Sequence, residues 1–454
     1  MNHAPDNNRE AVAGASRRPP GWMQWGRWLA LALLALAVVC VLADWPKKLT
    51  SPPDDTAVYI EAANRLRAGT TDLYAPPSDG FNIIGSYTYP PTFAALFAPL
   101  TLFERPVTLV LWRLVLACCA LACGACLFRL FEIRKLVHAR DFAFALAAAC
   151  CGPLILDLSW GNANLPVAAC VAAGMLCLER GRPIAGGAWL GLAAQLKVIP
   201  VVLLLVLVAQ RRFKAAAAML GCMALLYFLP LLWFVPAAGL GEGVARNHEA
   251  ARAFIFDQAL ARASRQDVTN VGSTAISNSS FYAVSQRLFV EGAPTVAMAW
   301  SDEWLPGEGP LLFALDPGFV RWLGLPPAML LFGVALWAAW KLRRDLYARS
   351  AAFGLALLPA LLGNLLCWGY SLLHVGLLFA PLAALSVKEG RVRHMAFAAG
   401  LTLFLCCGVA FTGNDLMELG QMLGVPVFGA LAAWGMVLRT MLRREKQNTS
   451  TSES

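Results

Sequence analysis

The sequence predicts an all-α integral membrane protein, a multi-span helical bundle with about 12 transmembrane helices. Hydrophobic residues make up 58% of the 454 residues and charged residues only 14%, whereas a soluble domain carries roughly a quarter charged residues. The mean hydropathy is +0.59, and apolar runs recur along the chain. This composition excludes a soluble enzyme, a disordered chain and a fibrous repeat. It also excludes an outer-membrane barrel, whose strands alternate instead of staying apolar for about 20 residues.

The N-terminus combines a polar tail with the first apolar run. Residues 1–26 contain Asn, Pro and Arg, and we expect a disordered cytoplasmic tail there. The run 27–43 resembles a signal peptide, but the apolar runs that follow it favour an uncleaved anchor. All runs must be helical, because the backbone has to satisfy its own hydrogen bonds in lipid. The predicted spans are 27–43, 107–128, 141–157, 161–179, 184–196, 198–209, 215–236, 319–340, 350–366, 370–386, 395–412 and 421–438.

Lys and Arg residues orient these spans. They cluster in alternate connections between the apolar runs, which is the pattern of the positive-inside rule and explains the net charge of +9 without nucleic acid. With both termini in the cytoplasm, the short opposite loops 158–160, 367–369 and 413–420 carry no Lys or Arg. This agreement requires 184–209 to cross twice as a broken pair, with its turn at 197–200 on the outer side.

The charge pattern also divides the chain into regions. We expect one transmembrane domain over 27–440 with two long outer loops, 44–106 and 239–318, and a second cytoplasmic tail over 441–454. The apolar stretch 91–102 is too short for an ordinary span, and we expect a re-entrant or interfacial helix there.

Common cofactor motifs are missing from the sequence. There is no G-x-x-x-x-G-K-[ST], no G-x-G-x-x-G after a strand and no H-E-x-x-H, and the chain has five histidines. We therefore expect no ATP-driven machinery, no metal site and no cofactor.

Ionisable residues near the predicted outer interface are the candidates for chemistry. Asp54 and Asp55 follow the first span and precede an amphipathic stretch, where Asp is also a favoured helix N-cap. Lys197 lies in an apolar context at a predicted helix break, so it either snorkels or binds an anion. Arg113, near the outer end of its span, has the same two interpretations.

Further polar and aromatic residues lie at other outer helix ends. Asp157 and Asn162 flank one loop, and Tyr370 and His374 follow another. Tyr370 also fits an interfacial aromatic belt, and a single histidine is often a bonded structural residue. The predicted topology nevertheless places all these groups on one side. A cationic pocket at headgroup depth suits a phosphorylated lipid, and a carboxylate in water-accessible space suits a general base.

Several motifs follow one another along the chain in a recognisable order. These are Asp55-x-x-x-Tyr59 with Ala63, Gly69 and Leu73-Tyr74; Tyr89-Pro90-Pro91 with Ala98-Pro99-Leu100; Gly161-Asn162-x-Asn164; Arg180-Gly181-Arg182 with Ala185-Gly186; Leu196-Lys197 with Pro200 and Arg211-Arg212; and Asn278-Ser279-Ser280-Phe281-Tyr282 with Arg287-Leu288. In that order they resemble glycosyltransferase family 87, which comprises multi-span enzymes of the GT-C type, including polyprenyl-phosphate-mannose-dependent α-mannosyltransferases. The resemblance covers roughly residues 27 to 440 and depends on the order of the motifs.

The resemblance implies a reaction. A sugar, mannose or a related hexose or pentose, would pass from a polyprenyl phosphate to a lipid or glycan acceptor outside the membrane, with inversion. It implies a catalytic aspartate at Asp55, with Asp54 as its neighbour. The expected substrate-binding residues are Lys197, Arg113, Asp157, Asn162, Tyr89, Asn278, Tyr370 and His374. The implied partners are the donor, the acceptor and membrane lipids, and the implied location is the bacterial inner membrane.

Two departures from the family pattern bear on the sugar and the acceptor. The chain has Gly161-Asn162 where relatives often have Gly-Gln, and it has Trp368-Gly369-Tyr370, with His374 after it, where some have Trp-x-His. The alternative function is a transporter or flippase of a lipid-linked sugar, which would also have many spans and discontinuous helices. The absence of an evident internal repeat and the one-sided ionisable residues favour the enzyme.

Overall fold

The computed structural model describes residues 55–75, 87–133, 139–260, 278–292, 294–298, 304–308, 311–364, 367, 369–389 and 423–453. Nearly all of these residues are helical. In the first half the elements are α1 Asp55–Arg67, α2 Pro91–Phe97 with a 3-10 turn Ala98–Leu102, α3 Arg105–Leu130, α4 Ala139–Trp160, α5 Asn164–Glu179, α6 Pro183–Leu196, a 3-10 turn Ile199–Val202, α7 Leu203–Ala209, α8 Phe213–Leu226, α9 Leu231–Ala238, α10 Leu240–Ala253 and a π-helix Phe254–Leu260. In the second half they are α11 Phe281–Phe289, β1 Pro294–Met298, β2 Trp304–Glu308, α12 Pro317–Leu323, α13 Leu325–Lys341, α14 Leu346–Gly363, a 3-10 turn Gly369–His374, α15 Val375–Lys388 and α16 Val425–Glu453.

The prediction of a helical membrane protein is confirmed, but the count of twelve spans is not. Within the described ranges, six helical segments are long and apolar enough to cross a membrane: Arg105–Leu130, Phe213–Ala238, Pro317–Lys341, Leu346–Gly363, Ser371–Lys388 and Val425–Gln447. The predicted spans 161–179, 184–196 and 198–209 form shorter helices; the 14 residues of α6, for example, extend only about 21 Å at 1.5 Å per residue. The predicted span 141–157 lies within α4, which has 22 residues. The predicted spans 27–43 and 395–412 lie outside the described residues.

Strands β1 and β2 differ from the prediction that the fold is all helical. They pair antiparallel, with Pro294 opposite Glu308 and Met298 opposite Trp304. Both lie in the predicted outer loop 239–318. The stretch 91–102, predicted to be re-entrant or interfacial, forms α2 and its 3-10 turn, and most of the side chains of α2 are buried.

The predicted chain reversal at Lys197 is present. Helix α6 ends at Leu196, and Lys197 has extended backbone dihedrals, φ −152° and ψ 127°. The Lys197 Nζ donates to Asn164 Oδ1, at the start of α5, over 2.7 Å. The Arg212 guanidinium, just beyond α7, donates to Glu179 Oε1, at the end of α5, over 2.6 Å. Helices α6 and α7 therefore run in opposite directions.

Two glycines let α6 pack closely on α8. A Cβ at Gly187 would lie 2.2 Å from the Ala215 carbonyl oxygen, and one at Gly191 would lie 2.7 Å from that of Met219. This small-xxx-small spacing allows helix backbones to approach in a membrane, where close packing replaces the hydrophobic effect. The packing fixes the axis of α6 and, with it, the position of Lys197.

Helices α14 and α15 form the inside of the bundle. In the apolar 18-residue stretches of α14 and of the segment Ser371–Lys388, which contains α15, 78% and 94% of the residues are buried, compared with 22% in α3. Helix α16 packs against this pair, and the Trp434 indole donates to the Leu355 carbonyl over 2.8 Å. Leu121 and Leu225 are instead 76% and 73% exposed. Such side chains fit a lipid-facing surface.

Charged groups are concentrated at the end of the bundle opposite Lys197. Glu179 at the end of α5 accepts hydrogen bonds from Arg212 and from Arg349 in the first turn of α14. Arg444 of α16 forms an ion pair with Asp345, the residue that precedes α14, over 3.0 Å. The Lys and Arg clusters that the sequence assigns to the cytoplasm thus include the groups that join α5, α8 and α14.

Candidate functional site

Asp55 is the first residue of α1, and its carboxylate reaches the turn between α4 and α5. The Asn162 Nδ2 donates to Asp55 Oδ2 over 2.6 Å and to the Tyr89 hydroxyl over 3.1 Å. The Tyr59 hydroxyl also donates to the Tyr89 hydroxyl, over 2.9 Å. A single amide thus orients both the carboxylate and the phenol. The other predicted carboxylate, Asp54, lies outside the described residues.

Aromatic packing places α1 so that Asp55 reaches this turn. Tyr59, one turn after Asp55, is buried edge-on against Tyr89, Phe93 and Trp112, with ring centroids 5.1, 4.8 and 6.1 Å away. Edge-to-face pairs of this kind contribute about 0.5–1.5 kcal/mol each beyond their buried area. Tyr59 and Tyr89, which belong to the sequence motifs, therefore also pack together and hold the Asp55 carboxylate in position.

Asp157, fully buried at the end of α4, is the second carboxylate. The Asn164 Nδ2 donates to its Oδ1 over 2.9 Å, and the Leu165 backbone N–H donates to its Oδ2 over 3.2 Å. Asp157 therefore satisfies donors at the N-terminus of α5, where a negative charge is favoured by the helix dipole. Asn164 connects it to Lys197, since its Oδ1 accepts from the ammonium over 2.7 Å.

Tyr89 contacts Asn162, the partner of Asp55, and Lys197, which Asn164 links to Asp157. The Lys197 Nζ is 5.8 Å from the centroid of its ring, within the usual range of a cation–π contact. Burial, and secondarily the charge of Asp55, raise the pKa of Tyr89 above its ordinary value. Its phenol therefore stays protonated at neutral pH. We call Asp55, Tyr59, Tyr89, Asp157, Asn162, Asn164 and Lys197 the polar cluster.

Lys197 contributes the positive charge of the polar cluster. The ion pairs between described residues do not include it, although Asp157 and Asp55 both act on its charge through space. An ammonium has three N–H donors, and Asn164 takes one of them. The remaining donors suit an anionic ligand.

Arg113 supports the α4–α5 turn from α3. Its guanidinium donates to the Ser159 carbonyl over 3.0 Å, and the neighbouring Trp112 indole donates to the Gly161 carbonyl over 2.7 Å. Arg113 was predicted to bind substrate; its described contacts are with the backbone that positions Asn162.

The predicted residues of the late loop divide into two groups. His374 is buried, with its Nδ1 3.0 Å from the Ser371 carbonyl. The 3-10 turn that contains it packs against α5, whose first residue is Asn164. Tyr370 follows in the same 3-10 turn, but its side chain is outside the described part of the structure.

Asn278, predicted to bind substrate, has a side-chain oxygen that accepts hydrogen bonds from the backbone. The Oδ1 accepts from the N–H of Cys367 over 2.9 Å and from that of Ser280 over 3.1 Å. Its carbonyl accepts two hydrogen bonds from Arg287, both 3.1 Å long. These contacts tie the start of α11 to Cys367. They favour a role for Asn278 in holding these two segments together.

Sequence reasoning missed Asn164 and Thr56 as site residues. Asn164 belongs to the Gly161-Asn162-x-Asn164 motif. Its position as a second polar residue at the start of an apolar span could have marked it as a candidate site residue. Thr56 is fully buried beside Asp55. Its hydroxyl packs against Gly161, and a single threonine next to an aspartate carries no signal of that contact.

Gly161 allows the close contact between α1, α3 and the α4–α5 turn. Its φ is +67°, and a Cβ there would lie 2.1 Å from both an Arg113 guanidinium nitrogen and the Thr56 Oγ1. The left-handed backbone alone costs an alanine about 1–2 kcal/mol. We expect Gly161→Ala to lower the thermal midpoint and to reduce activity strongly, because Asn162 must move with the turn.

Gly181→Ala is the matched control for this substitution. Gly181 has a similar φ of +71°, but a Cβ there would meet nothing within 4 Å. It should show the backbone strain without the activity loss. Equal effects of the two substitutions on thermal stability and turnover would refute the close-contact argument. The two variants are compared by thermal unfolding in detergent and by turnover measurements.

Comparison with known proteins identifies the family of the chain. The sequence model of glycosyltransferase family 87 matches residues 87–369. This range contains every described member of the polar cluster except Asp55 and Tyr59. No curated protein and no solved structure matches the chain significantly. Since the match spans more than half of its length, this integral membrane protein belongs to glycosyltransferase family 87 and is a membrane glycosyltransferase.

Proposed function

We propose that the protein transfers a sugar, mannose or a related hexose or pentose, from a polyprenyl-phosphate donor to a lipid or glycan acceptor. The transfer takes place on the extracytoplasmic side of the membrane in a GT-C type bundle. The observation that carries the proposal is the convergence of the Asp55 carboxylate and the Lys197 ammonium around Tyr89: Asn162 donates to both Asp55 and the Tyr89 hydroxyl, and the Lys197 Nζ lies 5.8 Å from the centroid of the Tyr89 ring.

Asp55 is the proposed general base. It deprotonates the acceptor hydroxyl, whose oxygen forms a bond to the anomeric carbon while the bond from that carbon to the phosphate oxygen breaks. Direct displacement inverts the anomeric configuration. A base must be held in place to act well, and the 2.6 Å hydrogen bond from Asn162 supports that requirement for Asp55.

Lys197 is the proposed partner of the phosphate. The leaving polyprenyl phosphate gains negative charge as the glycosidic bond breaks, and a preorganised cation stabilises that charge in a site of low dielectric. Two of its features support the assignment: it has no ion pair in the described ranges, and its position is fixed by Asn164. Its location in a break between α6 and α7 fits lateral entry of a lipid tail.

The outward orientation of the site follows from the charge pattern. The polar cluster lies at the start of α5, and the Arg-rich groups around Glu179 lie at its other end. Since Lys and Arg favour the cytoplasmic side, this arrangement supports an outward-facing polar cluster. We propose the bacterial inner membrane as its location.

A topology test follows from this orientation. A reporter that is active only outside the cytoplasm should be active when fused after Arg265 in the loop 239–318. The same reporter fused after Lys214, in the first turn of α8, should be inactive. Activity after Lys214 with none after Arg265 would reverse the topology and place the polar cluster in the cytoplasm.

The direct test of the proposed reaction uses purified protein. It is incubated with several polyprenyl-phosphate sugars and candidate acceptors, and the products are identified by mass spectrometry. Sugar transfer that depends on the polyprenyl phosphate supports the proposal. Transfer from nucleotide sugars alone would contradict the donor. Movement of a lipid-linked sugar across vesicles without any transfer would favour the alternative, a flippase.

A further inference from the structure

We propose that Asn164 is a positioning residue that keeps the Lys197 ammonium apart from the Asp157 carboxylate and thereby available to a phosphate group. The inference rests on the proposed function, because it assigns a role to a neighbour of the proposed phosphate partner.

The geometry supplies the first step. The Asn164 amide uses both of its ends: the Nδ2 donates to Asp157 Oδ1 over 2.9 Å, and the Oδ1 accepts from Lys197 Nζ over 2.7 Å. Asn164 and Asp157 are both fully buried. The amide therefore stands between a cation and an anion that have no direct ion pair in the described structure.

The second step is electrostatic. A direct contact between Lys197 and Asp157 would largely neutralise the ammonium, because oppositely charged groups in a poorly solvated site attract strongly. A neutral amide between them preserves a hydrogen-bonded chain while leaving the positive charge exposed to a further anion. The amide also supplies a hydrogen-bond donor to the buried Asp157 carboxylate, while two donors of the ammonium remain for a ligand.

The third step concerns the position of Asn164 in the fold. It is the first residue of α5, and the Leu165 backbone N–H donates to the other oxygen of Asp157 over 3.2 Å. Asp157 is therefore held by the helix terminus as well as by the amide. The carboxylate cannot follow Lys197 without losing that bond, so the separation is built into the α4–α5 turn.

An exchange of the two side chains tests the inference. The double substitution Asp157→Asn/Asn164→Asp keeps the net charge and the shape of the pair, but it places the carboxylate directly against the ammonium. The probe is a polyprenyl monophosphate without sugar, measured by thermophoresis in detergent, with the unphosphorylated polyprenol as control. We expect the Kd of the phosphate to rise at least about tenfold, the Kd of the polyprenol to stay unchanged, and the donor KM to rise more than kcat falls.

The outcomes separate the inference from the proposed function. An unchanged phosphate Kd in the folded exchange variant overturns the role of Asn164. If the exchange variant does not fold, Asn164→Ala replaces it, since removal of the spacer also lets Lys197 and Asp157 pair, and an unchanged phosphate Kd there overturns the inference equally. Lys197→Met with a normal phosphate Kd overturns both this inference and the proposed phosphate contact. A defective Lys197→Met beside a normal exchange variant overturns only the inference.

Discussion

Asp55→Asn is expected to abolish most of the sugar transfer while leaving the protein folded. The amide keeps the size of the carboxylate but cannot accept the proton of the acceptor hydroxyl, and loss of a general base costs about two to four orders of magnitude in rate. The substitution also changes the contact with Asn162, whose Nδ2 donates to the Asp55 carboxylate over 2.6 Å in the unmodified protein. An asparagine oxygen can accept the same bond, so the position of the side chain should survive. Product formation by monodisperse protein in detergent is the measurement.

Two further aspartates provide the controls. Asp316 caps α12 by accepting from the Phe319 backbone N–H over 2.9 Å, and Asp316→Asn should leave turnover nearly unchanged because Asn caps about as well as Asp. Asp54→Asn should reduce turnover less than Asp55→Asn does.

Near-normal turnover of Asp55→Asn would mean that Asp55 is a helix cap. If Asp54→Asn were also active, a transporter of a lipid-linked sugar would become the better-supported function.

The helical character was predictable because composition alone requires lipid as the solvent. The number of spans was less predictable, because length and hydropathy do not distinguish a helix that crosses from one that packs inside the protein. Helix α6 illustrates this: its 14 residues are apolar, but the close contacts of Gly187 and Gly191 with α8 place it by backbone packing. The Lys/Arg pattern predicted the reversal at Lys197, since only a turn there keeps Arg211 and Arg212 with the other basic clusters.

The candidate residues could be proposed from the sequence, but their contacts could not. Charge in an apolar context pointed to Lys197 and Asp157, but a sequence gives no indication that Asn164 connects them. For Asn278 a motif position suggested ligand binding, which stays a prediction, and the sequence did not show that its Oδ1 accepts from two backbone N–H groups. Polar residues that satisfy buried backbone and those that bind substrate have the same composition, and only the contacts separate them.

Lys197→Met carries the second large expected effect. Methionine retains the length and the apolar stem of lysine but removes the charge and all three donors, so the side chain should still fill its place beside the ring of Tyr89. Loss of one preorganised electrostatic group typically costs about 10²–10³ in rate, and donor use should fall by that order. Lys197→Arg should retain part of the activity, because it keeps the charge in a larger, planar form.

The matched control is a lysine outside the polar cluster. Lys341, at the end of α13, lies 4.9 Å from the ring centroid of Trp337, and Lys341→Met should affect turnover little. The comparison needs kcat and KM for a polyprenyl-phosphate sugar together with thermal unfolding of each variant. Since Lys197 makes its described hydrogen bond to a neutral amide and not to a carboxylate, its removal leaves no buried anion without its salt-bridge partner, and the fold should tolerate the change. Normal donor use by folded Lys197→Met would show that Lys197 is a snorkelling side chain, and the phosphate contact would then have to come from another cation of the outer face.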